Sequence, residues 1–270
     1  MDELHIGFVG AGQIGAPMIE RLLAAGRKVS VWARNPGTRS TLGAAGAILV
    51  DSADELADTD ILGSCLFDDG QVLEVLAPIL TRMRSGAIVF SHTTGSPAAV
   101  AQLSELAAPQ GISIVDAAFS GDAEMVRSQR LTVLLGGPES AVDTVERIVR
   151  AYASTVLRTG ALGTALVTKL LNNILFAAHT QLALSALTCA ASAGIEEDAF
   201  LDVLAASTGG SAAARYLAAA AVPAEQFARG LPRYLAKDVA AAAAVADELG
   251  LDIAALVAAT RVGPMDLESE

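Results

Sequence analysis

Leu4-His5-Ile6-Gly7-Phe8-Val9-Gly10-Ala11-Gly12-Gln13-Ile14-Gly15 decides the fold of this chain. An apolar, β-prone run leads into a G-x-G-x-x-G turn. The residues after it, Ala16 to Ala25, have helical spacing and stop at Gly26. A second strand, Val29-Ser30-Val31-Trp32, follows at the distance a βαβ unit requires. In that context each glycine has a task. Gly10 permits the tight turn, Gly12 lets the backbone approach a pyrophosphate, and Gly15 lets the helix pack closely on the strand. The N–H groups that open the helix then face the phosphates. The stretch reads as a dinucleotide-binding turn.

The alternation continues downstream. Strands are expected at 60–67, 87–90, 112–117, 131–135 and 155–158, and helices at 70–77, 96–108 and 139–153. Strand and helix in alternation predict an α/β fold with a doubly wound Rossmann sheet. From Gly160 recognisable strands vanish, and long Ala/Leu-rich segments are broken only at Gly194, Gly209-Gly210, Pro223, Gly230 and Pro232. The expected organisation is therefore a dinucleotide-binding domain over residues 1–159. An all-α domain over 160–270, joined through a long helix, follows it. Alanine runs such as Ala240 to Ala244, flanked by Asp238, Asp247 and Glu248, read as closely packed helix.

Composition narrows the partners. The chain has 270 residues, 53% of them hydrophobic, which is ample material for a core. Eighteen Lys and Arg against 30 Asp and Glu give a formal net charge of -12, which opposes nucleic-acid binding. Two cysteines, Cys65 and Cys189, make neither a disulfide framework nor a zinc cluster. No metal set is apparent. A start at Met1-Asp2-Glu3-Leu4 without a basic segment reads as no secretion signal, and a reducing cytoplasm is the expected compartment. The apolar stretch from Ile174 to Gly194 nearly has the length of a membrane span. His179, Thr180, Gln181, Ser185, Thr188 and Ser192 interrupt it, so the expectation is a helix buried in protein and no membrane partner.

The end of the second strand bears on the cofactor. An Asp or Glu there would hydrogen-bond the ribose 2′-hydroxyl of NAD. This chain has Ala33, then Arg34 and Asn35, with Thr38 and Arg39 shortly after. Nothing there repels a 2′-phosphate, and a guanidinium can stack on adenine and pair with the phosphate. The reading is NADP over NAD; the competing one is a solvated surface arginine. Trp32 fits either the border of an adenine site or the core.

Two further segments carry chemistry. Lys169 and Asn173 stand one turn apart on one face of the long apolar helix. Burial disfavours an ammonium and brings its pKa towards the working pH, which suits a proton donor to a carbonyl oxygen or acceptor from a hydroxyl. The alternative is a lysine that snorkels to solvent beside two capping asparagines. The second segment, Val115-Asp116-Ala117-Ala118-Phe119-Ser120-Gly121-Asp122, ends a strand in a small turn. Its N–H groups and the Ser120 hydroxyl can form a nest for an anion, or it is a plain loop.

Together these segments resemble the β-hydroxyacid dehydrogenase family, the relatives of 3-hydroxyisobutyrate dehydrogenase, tartronate semialdehyde reductase and 6-phosphogluconate dehydrogenase. The resemblance covers nearly the whole chain. It implies that Gly10, Gly12, Gln13, Ile14 and Gly15 hold the cofactor's phosphates and that Arg34 and Asn35 occupy the cofactor-selecting segment. It implies further cofactor contacts at Leu66 and Phe67, at Thr94 within Thr93-Thr94-Gly95-Ser96-Pro97, and at Lys237 of the Lys237-Asp238 pair. The family's substrate loop falls on Asp116 to Asp122, with Ser120, Gly121 and Asp122 as substrate contacts beside Asn173. Its catalytic K-x-x-N-N stands intact at Lys169 to Asn173.

The chain departs from the family pattern in that loop. Ala118 replaces a proline, Phe119 a small aliphatic residue and Asp122 a glycine. An acidic side chain and an aromatic ring are expected to disfavour the small 3-hydroxy acids typical of the family. The chain also reads as too short for the extended helical domain of the phosphogluconate enzymes. The resemblance implies an NADP(H)-dependent dehydrogenase or reductase. Hydride passes between nicotinamide C4 and the substrate carbon, and Lys169 serves as general acid/base. Imine reductases share the architecture but commonly carry Asp or Tyr where this chain has Lys169. A non-catalytic NADP-binding protein is the other alternative. A helical domain rich in Ala and Leu suggests a homodimer.

Overall fold

The structure is a computed structural model describing residues 4–267. It contains two compact units, which divide between Lys169 and Leu170. The first is built from β1 (Ile6–Val9), α1 (Gly15–Ala24), β2 (Val29–Trp32), α2 (Pro36–Ala44), β3 (Ile48–Leu49), β4 (Ile61–Ser64), α3 (Asp69–Leu80), β5 (Ile88–Ser91) and α4 (Pro97–Ala107). It continues through β6 (Ser113–Asp116), β7 (Phe119–Ser120), α5 (Ala123–Arg127), β8 (Leu131–Gly136), α6 (Glu139–Val149) and β9 (Ala153–Gly160).

The sheet runs in the order β3-β2-β1-β4-β5-β6-β8-β7, with β9 on β8. The pairs from β3 to β6 are parallel, and antiparallel contacts enter only at β8. Because the chain winds outward from β1 in one direction and returns through β4 in the other, the expected doubly wound Rossmann sheet is the observed fold, with its switch point between β1 and β4. The register aligns Trp32, Val9, Ser64, Ser91 and Asp116 at one level. The residues that follow each of them therefore emerge together along one edge.

Burial explains why the strands are apolar on both faces. One face carries Phe8, Val31, Phe90 and Val115 against Met18, Ile19 and Leu22 of α1 and Val145 and Ile148 of α6. The other carries Val9, Leu62, Val89 and Ile114 against Val72 and Leu76 of α3 and Leu103 of α4. Element ends differ from the sequence reading where packing overrides propensity. Helix α3 runs through Pro78 because Ile79 and Leu80 are buried with Val72 and Leu76. Helix α6 stops at Val149, and Ala153 already begins β9. The sequence reading had no element at α2, whose Gly- and Ser/Thr-rich run buries only Leu42 and is set by its Asn35 cap.

The long helix α7 (Thr164–Ser192) leads into the second unit, which adds α8 (Glu197–Ala206), α9 (Ala212–Ala218), α10 (Ala224–Ala228), α11 (Pro232–Leu249) and α12 (Ala254–Ala259). By length and composition α7 is apolar enough to cross a membrane. Its mid-point carries the buried Gln181, whose amide nitrogen donates to the carbonyls of Thr260 and Met265 and whose Oε1 accepts from Met265 N–H. That side chain ties the chain after α12 to α7.

Past β5, His92 is fully buried among Phe90, Phe119 and Tyr152. Its Nδ1 lies 2.5 Å from the Ala117 carbonyl, which can only accept, so Nδ1 carries the proton. Nε2 therefore accepts from the Tyr152 hydroxyl at 2.8 Å. The ring is neutral because burial lowers its pKa from 6.5 to about 4. The unfolded chain takes up a proton near 6.5 that the native state refuses until about 4, so stability is lost as the pH falls through that window. We expect urea unfolding to show a loss of about 3 kcal/mol between pH 7 and pH 4 from this residue, and His92→Gln to flatten that dependence. An unchanged slope in the variant would contradict the assignment.

Candidate functional site

The glycine turn encloses one side of a cavity of about 710 Å³. Gly10 sits at φ +92°, and a Cβ there would collide with the Cys65 carbonyl; one on Gly15 would collide with the Gly10 carbonyl. A Cβ on Gly12 would meet nothing within 4 Å. Gly10 and Gly15 are thus required by the protein's own packing, while the space above Gly12 is left open. Helix α1 starts here with no side-chain cap and no acid in its first turn. A turn with an open cradle and an uncapped helix start fits a dinucleotide pyrophosphate.

Gln13, Ile14, Trp32, Ala33, Arg34 and Asn35 continue the wall, and Cys65, Leu66, Phe67, Gln71, Glu74 and Val75 face them. Asn35 accepts from Thr38 N–H at 3.0 Å and caps α2. Arg39 is held by the Val50 carbonyl at 2.6 Å and by Asp51 at 3.1 Å. Among the described residues that leaves Arg34, exposed, as the basic side chain in the cavity wall. Burial raises the Cys65 thiol to about 12, so it is an inert wall atom. Thr94 does not line this cavity. It lies in the loop after β5, next to Thr93, whose hydroxyl accepts from Leu66 N–H at 3.0 Å.

At the next strand end, Asp116 is fully buried and reaches the start of α7. Gly163 N–H donates to its Oδ1 at 2.8 Å, and Ala165 and Leu166 N–H donate to its Oδ2 at 2.8 and 3.1 Å. Burial pushes its pKa above the usual carboxylate value, against the opposing pull of those amides. No local signal exposes this cap, because its partners lie 47 to 50 residues away. Lys169 follows on the same helix, half-buried.

Asn173 donates through Nδ2 to Asp238 of α11 at 2.8 Å, and its Oδ1 accepts from Asn172. Lys237, the neighbour of Asp238, is exposed on α11. Ser120 is half-buried in β7, and Gly121 has φ +133°. Asp122 accepts from Met125 N–H at 2.8 Å and is the N-cap of α5. Phe119 packs edge-on to His92 and against the core. Phe119 and Asp122, two of the three departures in this loop, therefore have structural employment. Among the described residues no group of acids, histidines and cysteines is placed to hold a metal ion.

Residues 5–160 match the model for the NAD binding domain of 6-phosphogluconate dehydrogenase. Residues 163–263 match that for the NAD-binding domain of NADP-dependent 3-hydroxyisobutyrate dehydrogenase. An uncharacterized oxidoreductase of Mycobacterium tuberculosis is 31% identical over 174 residues, 63% of this chain and 59% of that protein. The chain thus spans about three fifths of that relative's length. L-threonate dehydrogenase of Cupriavidus necator is 29% identical over 77% of this chain and 71% of its own. The solved M. tuberculosis 3-hydroxyisobutyrate dehydrogenase with L-serine superposes with a TM-score of 0.86, at 23% identity, over 95% of this chain and 91% of its own.

The Asp116 cap yields a stability test. Asp116→Ala removes a helix cap and orphans buried amides, so we expect a loss of about 2–4 kcal/mol in urea unfolding. Asp116→Asn, which still accepts through one oxygen, should lose less. A loss below about 1 kcal/mol in the alanine variant would show that the cap is dispensable.

Proposed function

Since the chain belongs to the β-hydroxyacid dehydrogenase family, we propose that it is an NADP(H)-dependent oxidoreductase interconverting the hydroxyl and carbonyl forms of a small 3-hydroxy acid, aldehyde or semialdehyde. The observation that carries the reading is the cavity in which an open glycine cradle and Arg34 replace any carboxylate at the end of β2. The amides of Gln13, Ile14 and Gly15 would hold the pyrophosphate, and Arg34 would take the 2′-phosphate. Bound nicotinamide supplies or accepts hydride at C4.

Lys169 gives a proton to the substrate oxygen in reduction and takes one from it in oxidation. Its backbone is placed by the Asp116 cap, at the end of the sheet where doubly wound folds bind ligands. Asp238 holds Asn173 so that the amide cannot turn over freely, which suits it to orient that oxygen or a carboxylate. Ser120 and the backbone at Gly121 and Asp122 bind the substrate acid. A lysine at position 169 favours carbonyl over imine reduction. We also propose a cytoplasmic homodimer without nucleic-acid or membrane partners, and read α7 as a core helix.

Titration by cofactor fluorescence should give tighter binding of NADPH than NADH. Arg34→Ala is expected to weaken NADPH by about 1.5–3 kcal/mol and leave NADH nearly unchanged. Equal affinities in the parent would remove the NADP assignment. On a panel of small semialdehydes, aromatic 3-oxoacids or aldehydes and cyclic imines, Lys169→Ala should bind cofactor normally and lose at least ~100-fold in kcat. Near-normal turnover would exclude Lys169 as the proton carrier. Asp122→Asn keeps the α5 cap while removing the charge, so a gain in kcat/KM on small 3-hydroxy acids would isolate the electrostatic effect. No change would mean that the carboxylate serves α5 alone.

A further inference from the structure

Two hydrogen bonds staple the loop after β5 to the segment after β4. Thr93 Oγ1 accepts from Leu66 N–H at 3.0 Å, and Ser96 N–H donates to Asp69 Oδ2 at 2.9 Å. Thr94 and Gly95 lie between these two anchors. Gly95 is shaped to its neighbour: a Cβ there would overlap the Asp69 carboxylate. No positive φ accounts for this glycine, so its missing side chain is a matter of space. Asp68 caps α3 through Gln71 N–H, which leaves Asp69 to serve the loop. On its far side Ser96 caps α4 through Ala99 N–H, and Pro97 adjoins Gly163 ahead of α7.

The sheet order tells which part of a dinucleotide this loop meets. With the pyrophosphate at the glycine turn after β1 and the adenosine towards Arg34 after β2, the other half extends in the opposite direction, past β4 to β5. We propose that Asp69 is a positioning residue that holds the Thr93–Pro97 loop against the nicotinamide half of the bound cofactor. This rests on the dinucleotide reading above. Asp69 acts through the backbone of Ser96 and the space at Gly95, and touches neither substrate nor cofactor itself.

A fragment comparison separates this role from a general structural one. NADPH and NADH, and their nicotinamide-free counterparts adenosine 2′,5′-bisphosphate and ADP, are titrated calorimetrically into the parent, Asp69→Ala, Asp69→Asn and Gly95→Ala, with thermal unfolding of each recorded. Asp69→Ala is expected to weaken the preferred dinucleotide about tenfold and its fragment by less than about twofold. Asp69→Asn still accepts from Ser96 N–H and should stay within about threefold of the parent. Gly95→Ala, which displaces the carboxylate, should reproduce the Asp69→Ala pattern, and the double variant should be no worse than either single one. Unchanged dinucleotide affinity in Asp69→Ala, or equal weakening of dinucleotide and fragment, overturns the inference. A parent that binds neither dinucleotide overturns the cofactor reading and this inference with it.

Discussion

The buried Asp116 carboxylate is the constraint on which the rest of the site depends. It ends β6 and accepts three backbone N–H groups at the start of α7. A 29-residue helix has orphan donors and a positive dipole end at its start, and here one acid from the sheet answers both. The cost is desolvation, visible in the raised carboxyl pKa. The benefit is geometric, since the first turn of α7 cannot slide or turn relative to the sheet edge without breaking this cap. Lys169 therefore inherits a fixed position from a residue 53 positions earlier in the chain.

The remaining parts of the site share that edge. The level register of Trp32, Val9, Ser64, Ser91 and Asp116 brings five strand ends into one row. From it emerge Arg34, the glycine turn, Leu66 and Phe67, the Thr93–Pro97 loop and the loop ending in Asp122. Staples between neighbouring loops, through Thr93 and Asp69, make the row a set of connected supports. Below it, His92 joins the Ala117 carbonyl to Tyr152 of the β9 approach, so the loop bearing Ser120 rests on an aromatic core.

What was legible in the sequence followed physical range. The glycine turn, the flanking strand and helix and the Val29–Trp32 strand were readable because each is a local pattern with one steric solution. The change to all-helix after β9 was readable from composition. Arg34 lies in the cavity wall, whereas Arg39 is engaged with Val50 and Asp51, which no local signal conveys. Asp122 and Phe119 were read as intrusions into a substrate site. They also serve as a helix cap and a core ring, roles that depend on the short α5 and on His92, neither of which the loop sequence announces. Asp69 and Asp116 act across 27 and 47 residues, beyond what spacing reveals.

Deuterium transfer from NADPH labelled at nicotinamide C4 is the most direct measurement, made on the panel of semialdehydes, oxoacids and imines with product analysis by mass spectrometry. Hydride chemistry on a carbonyl predicts one deuterium on the carbinol carbon of a hydroxy product. Label in an amine formed from an imine, or bound NADPH that transfers no label to any substrate, would contradict it.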